Sequence, residues 1–198
     1  MKFLVENITL ELNGNFSDEM SEEEFFNFCE QNRDLRIERD ANKQIFIMAP
    51  VNSLGGSQNA NVSADLTIWN RKFKLGICFD SSTGFTLPDG SVFSPDASWM
   101  PIEKWNGLAK TEQLKFAAVC PDFIIELKST SDNIKDLKIK MQKWIENGTR
   151  LAWLINADAQ QTIIYKADGS VEIADGFDRK LSGENILVDF EFDLSILK

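Results

Sequence analysis

The sequence predicts an α/β (α+β) fold with a central mixed β-sheet flanked by helices, and three observations carry that expectation. Strand-like, helix-like and strand-like segments follow one another over residues 121–156, a crossover unit that requires at least one parallel pair. Short alternating segments joined by turn-forming residues occur on the N-terminal side of that unit, as antiparallel pairs demand. Apolar residues recur at three- and four-residue spacing in three places, which gives helices a face to pack on the sheet. A chain of 198 residues with 43% hydrophobic content can bury one well-formed core. No linker, low-complexity run or fixed-period repeat divides it, so residues 1–198 are expected to form a single domain.

Taken in order, "MKFLVENITLEL" alternates apolar residues but lacks the continuous apolar stretch of a signal peptide, and no later segment is long enough to span a bilayer. A soluble, cytoplasmic protein with no membrane partner is expected. "SDEMSEEEFFNFCEQN" offers N-capping residues, acids in the first turn, and Met20, Phe25 and Phe28 at helical spacing, which predicts an N-terminal helix at about 20–32. "LRIER" and "QIFIMA", joined by "DANK", predict a β-hairpin. In "SQNANVSADLTIWNRKF", Val62, Leu66, Trp69 and Phe73 define a second helix beginning after a Gly-Gly breaker. "GICFDSSTGFTLPDGSVFSPDASWM" reads as a β-meander ending near Trp99, followed by an irregular stretch with one or two helical turns. After a strand at 121–128, Ile134, Leu137, Met141, Trp144 and Ile145 form one apolar stripe, with Asn133 as cap and Gly148 as stop. "LAWLIN", "QTIIYKA" and "SVEIA" predict further strands, and the remaining C-terminal segment reads as polar and acidic.

Composition narrows the chemistry. The chain has no histidine, which removes Ser/His/Asp and Cys/His nucleophilic catalysis, HExxH metalloproteases and histidine-based nuclease mechanisms. Carboxylates, lysine, hydroxyls or a metal must do any catalytic work. Cys29, Cys78 and Cys120 have no CxxC spacing and are odd in number, so they read as reduced packing residues. A net charge of −10 opposes broad attraction to nucleic acid. The acids, however, concentrate at the ends: residues 1–40 hold 11 acids against 4 basic residues and residues 157–198 hold 9 against 4, which leaves 13 basic residues and 11 acids between them.

The segment "PDFIIELKSTSDN" places charge on a strand that should be buried. Alternation puts Phe123, Ile125 and Leu127 on one face and Asp122, Ile124, Glu126 and Lys128 on the other, so one face is expected to be core and the other to carry charge. Burying those charges is costly unless they pair or hold an ion. One reading of Glu126 and Lys128 is the end of a strand emerging into solvent. The other is a metal ligand and a lysine that orients or deprotonates a water, an arrangement that hydrolyses phosphodiesters around Mg2+. Asp122 lies roughly 13 Å from Glu126 along an extended strand at ~3.3 Å per residue, so the second ligand should come from a neighbouring strand. Asp96 in "FSPDASWM", after Pro95, can supply it, and is also an ordinary turn-capping residue.

Asp96, then Glu126-Leu127-Lys128 on a later strand, then an amphipathic helix and another strand, resembles the PD-(D/E)xK nuclease superfamily. More narrowly, "DSSTGFTLPDGSVFSPDASWM", "CPDFIIELKSTSDN", "LKIKMQKWIENGTRLAWLIN" and "LSGENIL" look like the bacterial putative restriction endonuclease (Uma-type) family, from about residue 35 to the C-terminus. The resemblance implies a restriction-endonuclease-like core and a DNA endonuclease, with Asp96 and Glu126 holding Mg2+ (or Mn2+) and Lys128 as the catalytic lysine. It further implies an additional acid at Glu38 and a polar residue facing the site at Gln142, and it leaves Asp122 as a flanking second-shell or structural acid. Lys135, Lys138 and Lys140, in or beside the helix after the strand, could meet a DNA backbone, or simply form a solvated helix face. The histidine that many family members carry near the start of the second helix is missing. No sequence-reading module is evident, and a homodimer is plausible because double-strand cutting commonly uses two active sites. From a different class, the alternative is a catalytically silent member that binds nucleic acid or protein through the same fold.

Overall fold

The computed structural model describes residues 2–5, 8–11, 13–14 and 20–198, with backbone pairing only for 2–5 and 8–11. The chain runs β1 (Lys2–Val5), β2 (Ile8–Glu11), α1 (Glu22–Gln31), β3 (Arg36–Arg39), β4 (Ile45–Met48) and α2 (Ser53–Phe73). It continues as β5 (Gly76–Asp80), β6 (Phe85–Thr86), β7 (Val92–Phe93), β8 (Ala97–Pro101), α3 (Ile102–Asn106), α4 (Lys110–Gln113), β9 (Phe123–Leu127) and α5 (Ile134–Glu146). The last elements are β10 (Leu151–Asn156), β11 (Gln161–Lys166), β12 (Val171–Asp175), β13 (Lys180–Ser182), β14 (Glu191–Asp193) and a 3-10 turn at Leu194–Leu197.

The central sheet has the order β12-β11-β10-β9-β8-β5. Its β9–β10 pair is parallel and its other pairs are antiparallel, so it is the mixed sheet that the crossover pattern predicts. Helix α5 makes the crossover. Asn133 starts it by accepting a hydrogen bond from the Lys135 backbone N–H, and it packs its Met141 and Trp144 side onto the sheet. On α1 the Ser21 and Glu24 side chains form a reciprocal capping box, which fixes the helix start where the acids meet the positive end of the helix dipole.

Three expectations need correction. Helix α2 begins at Ser53, before the Gly-Gly pair, because the Asn52 side chain caps the Gly55 N–H and carries the helix through Gly55 and Gly56. The segment 76–101 is no simple meander: β5 and β8 pair in the central sheet, whereas β6 and β7 join β3 and β4 in a four-stranded sheet. The chain leaves β5 through a turn in which Asp80 accepts hydrogen bonds from the Ser82 backbone and the Ser82 and Thr83 hydroxyls. Finally, the polar reading of the C-terminus fails, since Phe177, Leu181, Leu187, Phe190, Phe192, Leu194 and Leu197 are all buried.

Those C-terminal residues and α2 cover one face of the central sheet, against Phe123, Ile125, Leu151 and Trp153. Helix α5 covers the opposite face, against Ile124, Ala152 and Leu154. Both faces of β9 are therefore core, and the charged face expected from alternation lies under a helix. Cys78 and Cys120 are free thiols whose pKa burial pushes up to about 12 and about 11, so they remain protonated packing groups at neutral pH.

The β5–β8 edge depends on Gly76. Asn70 in α2 donates to the Gly76 carbonyl and accepts from both the Gly76 N–H and the Trp99 indole N–H. A Cβ at Gly76 would overlap the Met100 carbonyl oxygen and the Trp99 ring. Gly76→Ala is expected to lower stability by at least ~2 kcal/mol, as overpacking against backbone does, read as the shift of the urea unfolding midpoint. A shift within experimental scatter would show that the edge can open freely.

Candidate active site

Strand pairing brings the two predicted acids together. The β8–β9 register sets Ala97 opposite Ile125, and Asp96 immediately precedes β8 while Glu126 follows Ile125. Ala97 and Ile125 face the α2 side of the sheet, so alternation turns Asp96 and Glu126 to the α5 side. The Asp96 Oδ2 accepts a hydrogen bond of 2.8 Å from the Leu127 N–H, which ties the turn carrying Asp96 to the end of β9. Pro95 restricts the entry to that turn.

Glu38 reaches the same place from the smaller sheet. Its Oε1 accepts from the Ser94 N–H at 2.8 Å and from the Lys140 ammonium at 2.9 Å. The same ammonium sits 2.9 Å from Glu126 Oε1, which also accepts from the Trp144 indole N–H at 3.2 Å. Arg36, two residues before Glu38 on β3, places Nη1 3.4 Å from Asp96 Oδ1 and donates from Nη2 to the Ser94 carbonyl. Asp96, Glu38 and Glu126 are all buried. Asp96 and Glu126 line a cleft of about 450 Å3, whose wall also includes Arg36, Lys128, Lys140 and the start of α2 around Asn52 and Gly55, whereas Glu38 lies behind it.

The electrostatics follow from that crowding. Burial raises the Glu126 pKa, the Lys140 charge opposes the rise, and the Asp96 and Glu38 charges add to it, leaving the carboxyl at about 7. Burial works to lower the Lys140 pKa, but Glu126 and Glu38 outweigh it and raise it, so the ammonium stays charged. Lys128 is half-buried just beyond β9. Its backbone N–H extends the pairing to Ile155, and its ammonium donates to the Ser129 carbonyl at 2.8 Å, which leaves two of its three hydrogens for other partners.

Other expected site residues lie elsewhere. Asp122 sits at the opposite end of β9, paired to Lys104 at 2.8 Å and to Arg150 at 3.7 Å, so it is a structural acid outside the cluster. Gln142 is exposed on α5, between the buried Met141 and Trp144, and is not part of the cleft wall. Lys135 and Lys138 are exposed on the same helix, free to meet solvent or a polyanion. Lys140 is not a solvated phosphate contact: its helix turns it inward with Leu137, Met141 and Trp144, and it binds two carboxylates. Its i, i+4 relation to Trp144 is the sequence signal for this inward position, masked because lysine usually lies at the surface. Arg36 carries a similar signal, since its two-residue spacing from Glu38 puts both on one face of β3. Among the described residues, no three His, Cys, Asp or Glu side chains converge as a ready-made metal cage.

A mixed sheet with an acid before one central strand, an acid and a lysine at the end of the next, and a crossover helix behind them defines a restriction-endonuclease-like fold. A solved structure described as a putative nuclease belonging to DUF820 from Anabaena variabilis ATCC 29413 superposes with a TM-score of 0.69 over 85% of this chain and 95% of that one, at 15% identity. The chain belongs to the Uma2 family, described as putative restriction endonuclease, whose model matches residues 22–195. No curated protein matches it.

The raised Glu126 pKa has a stability consequence. Between about 4.5, the ordinary value, and about 7, the folded chain holds a proton on Glu126 that the unfolded chain has released. Stability associated with this group is therefore full below about 4.5 and is lost as pH rises to about 7. Glu126→Gln removes that loss, so its urea midpoint relative to wild type should climb between pH 5 and pH 7.5. Parallel midpoint curves over that range would show that Glu126 titrates normally.

Proposed function

We propose that this chain is a divalent-metal-dependent endonuclease that hydrolyses DNA phosphodiester bonds in the cleft beside β9. The observation that carries the reading is the placement of Asp96 and Glu126 side by side on adjoining strands at the cleft, with Lys128 one step further along. Family membership supports a nuclease, and the two acids, Lys128 and their supports are what a phosphodiesterase needs.

The donor set fits Mg2+ or Mn2+. Such ions are commonly held by one or two carboxylates, with water and substrate phosphate oxygens completing the shell, and Asp96 and Glu126 offer hard oxygen donors at a water-accessible cleft. Burial, with the Asp96 and Glu38 charges adding to it, raises the Glu126 pKa, so an added positive charge at the cleft would favour its ionised form. When bound, the ion would polarise the phosphate and stabilise the charge that develops during hydrolysis.

The chain's own residues do the rest. The Leu127 N–H holds Asp96, and Trp144 with Lys140 holds Glu126, so both carboxylates are positioned before substrate arrives. Lys128, with two hydrogens left, orients the attacking water or takes part in its deprotonation. Arg36 at the cleft wall can meet a phosphate oxygen, and exposed Lys135 and Lys138 can meet the flanking DNA backbone. The neighbouring start of α2 adds backbone dipoles of the favourable sign for an anion.

A second reading has its own observation. Each acid already has an internal cation, Arg36 on Asp96 and Lys140 on Glu126 and Glu38, and the Lys128 ammonium bonds to the Ser129 carbonyl. A catalytically silent chain that binds nucleic acid or protein would tolerate that arrangement unchanged.

A plasmid-nicking assay with Mg2+ or Mn2+ separates the two. Wild type should convert supercoiled to open-circular DNA, and Glu126→Ala and Lys128→Ala should each lower the rate by ~10²-fold or more. Equal nicking by wild type and both variants would trace the activity to another site or a contaminant. No nicking by wild type, with DNA still bound, would favour the silent reading.

A further inference from the structure

We propose that the Lys140 ammonium occupies the position of a second cation between Glu38 and Glu126, limiting the site to one divalent ion and keeping Glu38 out of its ligand set. For the wild-type ion this rests on the metal site proposed above. The bridging itself stands on geometry alone.

Lys140 lies 2.9 Å from Glu38 Oε1 and 2.9 Å from Glu126 Oε1, and its side chain is only 15% exposed. An ammonium has three hydrogens. Two are committed to the glutamates, and the nitrogen stands 5.5 Å from the centre of the Phe93 ring, whose face favours a cation. Little capacity remains for substrate, so Lys140, although it reaches the cleft wall, is a positioning residue, whereas Lys128 keeps two hydrogens for other partners.

Three buried acids from three strand ends would otherwise present more negative charge than one divalent ion needs. Paired acidic sites of that kind hold two ions about 3.5–4 Å apart in other phosphodiesterases. Here the spacing between Glu38 and Glu126 is filled by a group carrying one positive charge on a fixed stem. It is the one cation paired with Glu38 among the described residues, whose other contact is the neutral Ser94 N–H on the same oxygen, and its single charge is shared with Glu126. On Glu126 both bonds fall on Oε1, and no hydrogen bond to Oε2 occurs among the described residues. One oxygen of Glu126 is thus held by the protein and the other is left for a ligand, an asymmetry that a single ion beside Asp96 would use.

Counting bound Mn2+ tests the assignment, by the loss of free-ion EPR signal on titrating the whole chain. Wild type should bind one Mn2+, and Glu38→Gln should change its dissociation constant by less than about threefold, because glutamine still accepts from Ser94 and Lys140. Lys140→Met should gain one further Mn2+ per chain, and the double variant Lys140→Met/Glu38→Gln should lose that gain. A Lys140→Met protein with an unchanged count overturns the proposal, as does a loss of tenfold or more in affinity on Glu38→Gln alone. If Lys140→Met does not fold, the Glu38→Gln result decides by itself. If wild type binds no Mn2+ while Lys140→Met binds one that depends on Glu38, the bridging assignment stands and the Asp96–Glu126 metal site fails.

Discussion

Burial of Glu126 beneath α5 is the constraint around which the rest of the site is arranged. A carboxylate near the end of β9, on the sheet face that also buries Ile124, Met141 and Trp144, loses most of its hydration, and only directed donors or charge can replace it. The Trp144 indole and the Lys140 ammonium supply both. They can do so because α5 presents them four residues apart on the face that packs on β9, where one turn of helix separates them. The crossover that makes β9 and β10 parallel therefore also delivers the cation that makes the acid tolerable. Fold and site share one structural element.

The smaller sheet is attached through the same group. Glu38 on β3 meets Lys140, Arg36 on β3 meets Asp96, and the Ser94 N–H between β7 and β8 meets Glu38. These contacts add to apolar packing that already joins the two sheets, since Phe85 on β6 and Phe93 on β7 lie in the cluster of Ile124 and Trp144, while Met20, Phe25, Phe28 and Val92 form a separate cluster under α1. Buried ion pairs of this kind contribute little net stability compared with apolar packing, but breaking one partner leaves an uncompensated charge. Their value here is in fixing relative position: a shift of β3 against α5 would break the Glu38 bond to Lys140 and leave the ammonium on Glu126 alone.

Much of this was legible in the sequence. The helical stripe from Ile134 to Ile145, the strand pair around it and the hairpin before α2 follow from periodicity and turn residues, because a single local rule decides each. The acids Asp96 and Glu126 were legible as a pair only because strand geometry ruled out Asp122, whose distance along an extended chain is fixed. What could not be read was direction out of the helix. Lys140 and Lys138 are the same residue type two positions apart, one sealed against two glutamates and the other in solvent. Composition treats them alike; what separates them is the position of Lys140 one turn before Trp144 together with the acids contributed by β3 and β9. The C-terminal segment failed for the same reason: Phe177, Phe190 and Phe192 sit among acids at irregular spacing, and they form core only because the sheet face beyond α2 has no other cover.

Charge bookkeeping at residue level also accounts for how a chain with a net charge of −10 can present a cleft suited to an anionic polymer. Arg36, Lys128 and Lys140 stand at the cleft with Asp96, Glu126, Asp132 and Asp158, so the local balance is close to neutral where the global one is strongly negative. Many of the excess acids lie in the first 40 and last 42 residues, at α1 and along β12 to β14. At physiological ionic strength, charges further than about 8 Å away through solvent are largely screened. A phosphate entering the cleft would therefore respond to the nearby charged groups far more than to the distant carboxylates. The acidic periphery limits binding to places where the cleft can be reached, which favours local engagement of a strand over broad adsorption to its backbone.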